Sequence, residues 1–121
     1  MAKVTGIGGV FFRATDPKAL AAWYDQHLGI DLSQSGVWTQ GAGPTVFAPF
    51  KRETDYFAAD KQWMLNFRVD DLAGMLAQLA AAGIAAETRA DWDGDGSYGH
   101  FARIHDPDNN PIELWEPPIS A

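Results

Sequence analysis

Two stretches of this chain carry apolar residues at helical spacing, and around them apolar and polar positions alternate with the period of a strand. The first stretch places Leu20, Trp23, Tyr24 and Leu28 on one face, with Asp16 as N-cap, Pro17 at the first helical position and Gly29 as the stop. The second places Leu72, Met75, Leu76 and Leu79 together, with Asp70 or Asp71 as cap and Gly83 as the stop. Short strand-like runs precede each helix and follow it, at residues 30–32, 37–40 and 45–49 in the first half and 85–89, 100–105 and 112–115 in the second.

The two halves repeat one another. Residues 10–30, VFFRATDPKALAAWYDQHLGI, and 65–84, LNFRVDDLAGMLAQLAAAGI, each read as a strand ending in Phe-Arg, an acidic cap, an amphipathic helix and Gly-Ile at the exit. The predicted unit is βαβββ used twice within one domain of residues 1–121, with module one at about 4–50 and module two at about 62–117. Alternation gives each leading strand an apolar face, Val10, Phe12 and Ala14 in the first and Leu65, Phe67 and Val69 in the second. Those faces take the helices. The mixed faces, with Phe11 and Arg13 on one strand and Asn66 and Arg68 on the other, are left to line a concave space.

The closing stretch, GHFARIHDPDNNPIELWEP, reads as strand, tight turn and strand. In the turn Asp106 and Asn109 can bond their own backbone, Asn110 tolerates left-handed dihedrals, and Pro107 and Pro111 fix φ. The last strand then sets Ile112 and Leu114 against the core and turns Glu113 and Trp115 to the other face, so that a carboxylate enters the sheet. Phe101, Arg103 and His105 share one parity; His105 either faces Glu113 or bonds within the turn. Arg13, Arg68 and Arg103 outnumber Glu113 on the concave side. Either Arg13 or Arg103 pairs with Glu113 while the others reach solvent at the strand ends, or an anionic ligand completes the charge balance. Phe11, Trp38, Phe101 and Trp115 are the aromatic residues expected to stack on such a ligand.

Composition narrows the chemistry. Nine basic residues against sixteen acidic ones give a net charge of −7, which argues against nucleic acid as a partner. No cysteine is present, so disulfides, iron–sulfur clusters, thiolate zinc sites and cysteine nucleophiles are excluded, in keeping with a reducing, cytoplasmic setting. No apolar run reaches the length of a membrane span, and the first residues lack the pattern of a signal peptide. The run DWDGDG, residues 91–96, starts like a calcium loop but has Ala102 where the bidentate Glu belongs, and is read as an acidic surface loop. No nucleophile elbow, phosphate loop or dinucleotide fingerprint occurs.

The RATDPKALAAWYDQHLGI segment, the FRVDDLAGMLAQLAAAGI repeat and the closing DPDNNPIELWEP together resemble the vicinal oxygen chelate superfamily, the group of glyoxalases, bleomycin-resistance proteins and extradiol dioxygenases. The resemblance implies an α+β fold of two tandem βαβββ modules forming a cupped eight-stranded mixed sheet, commonly assembled as a homodimer. In its metal-dependent members His or Gln on the first strand, Glu on the fourth, His on the fifth and Glu on the eighth hold a divalent ion. The matching positions here are Gly9, a residue near Ala48, Met64 and Glu113, and one carboxylate is too few donors for a catalytic ion. The expectation is therefore a homodimeric, metal-independent protein without a cofactor that binds a small anionic or aromatic molecule through Phe11, Arg13, Trp38, Asn66, Arg68, Phe101, Arg103 and Trp115, with Glu113 among them. The alternative is a glyoxalase-like lyase or isomerase, or a dioxygenase-related enzyme, in which Glu113 moves a proton and arginines replace the metal. A third reading is an interaction module whose concave face is filled by its own side chains.

Overall fold

The computed structural model describes residues 1–119. Helix α1, Pro17–Leu28, is held at its start by the Asp16 carboxylate, which accepts from the Ala19 N–H at 3.1 Å, and is stopped by Gly29 at φ 71°, where a side chain would strain the left-handed backbone. Helix α2, Leu72–Ala81, is capped in the same way by Asp71, which resolves the choice between Asp70 and Asp71. The Glu116 carboxylate adds a second acceptor at its N-terminus, taking the Leu72 N–H at 2.8 Å.

Three strands form one sheet in the order β1, β3, β2: β1 is Leu65–Arg68, β2 is His100–His105 and β3 is Pro111–Glu116. The last two form an antiparallel hairpin, whereas β1 runs parallel to β3 at the sheet edge. The hairpin turn is built on Asp106. Its buried carboxylate accepts from the Asp108 and Asn110 N–H groups, the Asn110 side chain and the Tyr24 hydroxyl of α1, the last at 2.6 Å. Asn109, not Asn110, takes the left-handed conformation, at φ 62°. Asp108 reaches back to the Thr15 side chain and N–H, so one turn fixes where both the hairpin and α1 begin.

The core lies between the helices and one face of this sheet. Leu20, Tyr24, Leu72 and Leu79 pack against Ala102, Ile104, Ile112 and Leu114, with Phe67 and Met75 at the margin. Each fully buried aliphatic side chain contributes roughly 1.5–3 kcal/mol relative to leaving it in water. Phe67, Ile112 and Leu114 are strand residues whose parity predicted a helix-facing side, and Leu20, Tyr24, Leu72, Met75 and Leu79 are those at helical spacing.

The first half follows the expected pattern only in its helix. Residues 4–13, 30–32, 37–40 and 45–49 carry no strand ladder, and the sheet of the described residues has three strands. Val4, Phe11, Val46 and Phe47 lie exposed along these segments. A strand is stable only with a neighbour's N–H and C=O groups beside it, and these segments pair neither with one another nor with the open edge of β1. Residues 85–89 likewise make a single bridge, Glu87 to Arg103, and the acidic run beyond folds into a short helix, α3, Ala90–Asp93. Asp93 ties that helix to the start of β2 by accepting from the Phe101 N–H and bonding His100 Nδ1 at 2.9 Å. Residues 91–93 of the acidic run are thus helical and bonded to β2, and residues 94–96 follow as a turn.

Candidate functional site

The sheet face away from the helices carries two rows of side chains, set by register. Asn66, Glu113 and Arg103 stand side by side across β1, β3 and β2, and Arg68, Trp115 and Phe101 form the next row. The six residues of the second half that parity assigned to a concave wall do share one face. Glu113 and Arg103, both buried, sit at its centre.

A buried carboxylate must find donors. Glu113 finds two: Asn66 Nδ2 donates to Oε1 at 2.7 Å and the Tyr56 hydroxyl donates to Oε2. Burial and the bond to this carboxylate push the Tyr56 phenol well above its ordinary range, with Arg103 opposing the shift. The phenol is accordingly neutral and serves as a donor near pH 7.

Arg103 makes no ion pair with Glu113 in spite of their register, since the described ion pairs involve other residues. Its guanidinium carbon instead lies 5.1 Å from the centroids of both Tyr56 and Trp92, two rings 6.2 Å apart whose planes meet at 68°. The guanidinium therefore fills an aromatic corner. Arg89 approaches Trp92 as well, at 5.4 Å. Beside the corner a surface cavity of about 500 Å³ is lined by Asp55, Tyr56, Arg89, Asp91 and Trp92.

Of the remaining expected residues, those of the second row stay on this face, whereas those of the first half do not join it. Phe101 and Trp115 stack in nearly parallel planes at 6.2 Å, and the Trp115 indole donates to the Tyr98 carbonyl. Arg68 spends a guanidinium N–H on the Gly41 carbonyl at 3.1 Å, bracing an unpaired segment of the first half. Trp38 lies on the wrong side for a concave wall: its ring meets Phe67 on the helix-facing side, near Leu28, Ile30 and Met75, because no ladder fixes its parity. Phe11 is 94% exposed, and no hydrogen bond or ring contact joins it or Arg13 to the Glu113 cluster among the described residues. His105 is exposed at the turn end of β2, opposite Pro111.

The donor set does not suit a divalent ion. Gly9, Ala48 and Met64 bring no hard ligand, and no group of three His, Cys, Asp or Glu side chains that could hold an ion gathers among the described residues. Tyr56 and Trp92 are the two site residues that the sequence pattern missed. Both come from stretches without strand or helical periodicity, and only the excess of aromatic residues in a chain of this size hinted at them.

A family profile described as a glyoxalase-like domain matches residues 9–115. Among solved structures the chain is similar to TnmS3, an antibiotic-binding protein from Streptomyces sp. CB03234, with a TM-score of 0.61 at 20% identity over 98% of this chain and 100% of that one. A second similar structure, SMU.1112c, has a TM-score of 0.40 at 32% identity and covers 61% of this chain and 54% of its own. No curated protein sequence matches the chain at a significant level.

Proposed function

The chain belongs to the glyoxalase-like domain family of the vicinal oxygen chelate superfamily, and from that premise we propose that it is a metal-independent protein that binds a small anionic or aromatic molecule on the Glu113 face of its sheet. The observation that carries this reading is the row Asn66, Glu113 and Arg103, its last two members buried, edged by Tyr56 and Trp92 at the mouth of a cavity. Such a surface combines a few convergent polar groups with aromatic walls, which is what a small-molecule site requires. The antibiotic-binding neighbour of the same fold agrees with binding as the task.

Binding without turnover is favoured over the enzyme reading by the state of Glu113. A general base has to reach the substrate, and Glu113 is 7% exposed, with each oxygen turned to a donor of this chain's own side chains. In the proposal Phe101 and Trp115 extend the aromatic wall, and the family's eight-stranded, two-module cup is completed when two chains associate in the cytoplasm. The apolar residues left exposed on residues 4–14 and 37–50 support that association.

The test is a titration of the protein with a panel of planar aromatic antibiotics, with and without EDTA, followed by tryptophan fluorescence and by mass spectrometry of the recovered compounds. Saturable binding that EDTA leaves unchanged, with the compound returned intact, is expected. A metal requirement, a converted compound or no binding across the panel would overturn the proposal.

A further inference from the structure

Three arginines were expected to face the concave side, and their surroundings differ. Arg13 is exposed, and Arg68 is committed to the Gly41 carbonyl. Arg103 is 92% buried by its 8% exposure, yet its Nε and Nη2 atoms have no hydrogen-bond partner. Buried guanidinium N–H groups without acceptors are uncommon, because each gives up its water without a hydrogen bond in return, and the flanking rings offset that loss only in part. The identity of the pair matters more than its number. Nε–H and Nη2–H lie along one edge of the guanidinium and point the same way, at the spacing of the two oxygens of a carboxylate.

Glu113, the carboxylate next in register, does not use that edge; its oxygens are taken by Tyr56 and Asn66. The edge is therefore preorganised for a carboxylate from elsewhere. The route to it is the aromatic corner, since Tyr56 and Trp92 lie against Arg103 and also line the cavity. Tyr56 is pinned by its bond to Glu113. The Trp92 side chain makes no hydrogen bond among the described residues and rides on a helix of four residues whose N-cap, Arg89, makes no side-chain cap.

We propose that Arg103 is the acid-recognition residue of this site, its Nε and Nη2 edge taking the carboxylate of an aromatic acid bidentately while the Trp92 ring moves aside to stack on the ligand. The proposal rests on the binding reading above and names the ligand class for it: aromatic carboxylic acids, ahead of their neutral amides. In a chain of net charge −7 such a preference has to come from a local donor pair and not from the overall field.

The experiment titrates benzoate and benzamide, two planar ligands of nearly equal size, into the wild type and Arg103→Lys by calorimetry, and follows the arginine Nε–H signals of the wild type by nitrogen-15 NMR. Lysine keeps the positive charge and removes the fork. Benzoate is expected to bind at least about tenfold tighter than benzamide to the wild type, to move an Nε–H signal that is missing from Arg103→Lys, and to lose its advantage in that variant. Equal affinities in the wild type overturn the assignment of Arg103 while leaving the binding reading intact. So does an acid preference that survives in Arg103→Lys. Should Arg103→Lys fail to fold, the wild-type Nε–H shifts decide alone: a signal that responds to benzoate and not to benzamide supports the proposal, and indifferent signals refute it. If neither these probes nor the aromatic panel binds, the binding reading falls and this assignment with it.

Discussion

The Tyr56 hydroxyl donates to the Glu113 carboxylate across 57 positions of sequence, joining a stretch with no regular structure to the central strand of the sheet. That bond decides how a buried negative charge is tolerated beside the core. It also carries Tyr56 over to Arg103 and so builds one wall of the aromatic corner. The loop is thereby ordered by the same carboxylate that it helps to satisfy.

Replacing Tyr56 by Phe keeps the ring against Arg103 and removes the donor. Glu113 Oε2 is then left without its partner in a buried setting, and a loss of stability of about 1–2 kcal/mol is expected in denaturant unfolding. Asn66→Ala should act on the other oxygen. Because the two side chains serve one carboxylate, the double variant is expected to deviate from additivity, which a double-mutant cycle would measure. Additive losses would mean that the two bonds are independent of the shared charge.

The hydroxyl of Tyr24, bonded to Asp106, gives a pH signature. Burial first, and then the Asp106 bond, hold this phenol far above its ordinary value near 10. A raised pKa in the folded state means that the unfolded chain loses its proton first as pH climbs, so the contribution is complete below about pH 10 and declines above it. Stability measured from pH 9 to 12 should therefore fall in the wild type. Tyr24→Phe should remove part of that slope while lowering stability at pH 7 by about 1–3 kcal/mol, since buried Asp106 loses a donor.

The elements legible in the sequence were those specified by neighbours along the chain. Asp16, Pro17 and Gly29 bracket α1 through local hydrogen bonds and dihedral limits, and Asp71 does the same for α2. The row Asn66, Glu113 and Arg103 was legible because strand parity is local too, once three true strands exist to carry it. Trp38 shows the opposite case: its expected direction presumed a ladder at 37–40, and in the absence of that ladder the ring makes an edge contact with Phe67 instead. Tyr56 and Trp92 were illegible for a different reason. Their partners, Glu113 and Arg103, are remote in sequence, and residues that meet only through the fold leave no periodic trace.

His100 and Asp93 make a second pH-dependent contact, at the hinge between α3 and β2. Their hydrogen bond raises His100 above its usual value of 6.5 and lowers Asp93 below 3.8. The Asp93 contribution is present above about pH 4 and fails as acid protonates it, whereas that of His100 is full below 6.5 and fades as alkali removes its proton. The clasp should hold best between those limits. Proton NMR of the His100 ring is expected to give a midpoint above 6.5, returned toward the ordinary value by Asp93→Asn, and exchange protection of the Phe101 amide should fall in the same variant. An unshifted His100 midpoint would show that the contact does not persist in solution.

The exposed first half leads to a prediction about assembly. Val4, Phe11, Val37, Val46 and Phe47 present apolar side chains to water on segments that have the composition of strands but no ladder. So much unpartnered apolar surface and unpaired backbone favours association, and the sequence repeat makes a second copy of the chain the fitting partner: what the second half of one chain does for its own strands, two chains can do for the first halves. Light scattering at micromolar concentration is expected to return about twice the 13.2 kDa chain mass. Phe47→Asp puts a charge on that surface without touching the core or the Glu113 cluster, so it should shift the protein toward the monomer and leave the Tyr56–Glu113 contact unperturbed. Because two-fold contacts repeat each substitution, the loss should be felt twice per dimer, and dissociation should appear as a concentration-dependent mass in Phe47→Asp where the wild type shows none. A wild type that scatters as a 13.2 kDa particle would refute the dimer and would require the first half to find its ladder within one chain.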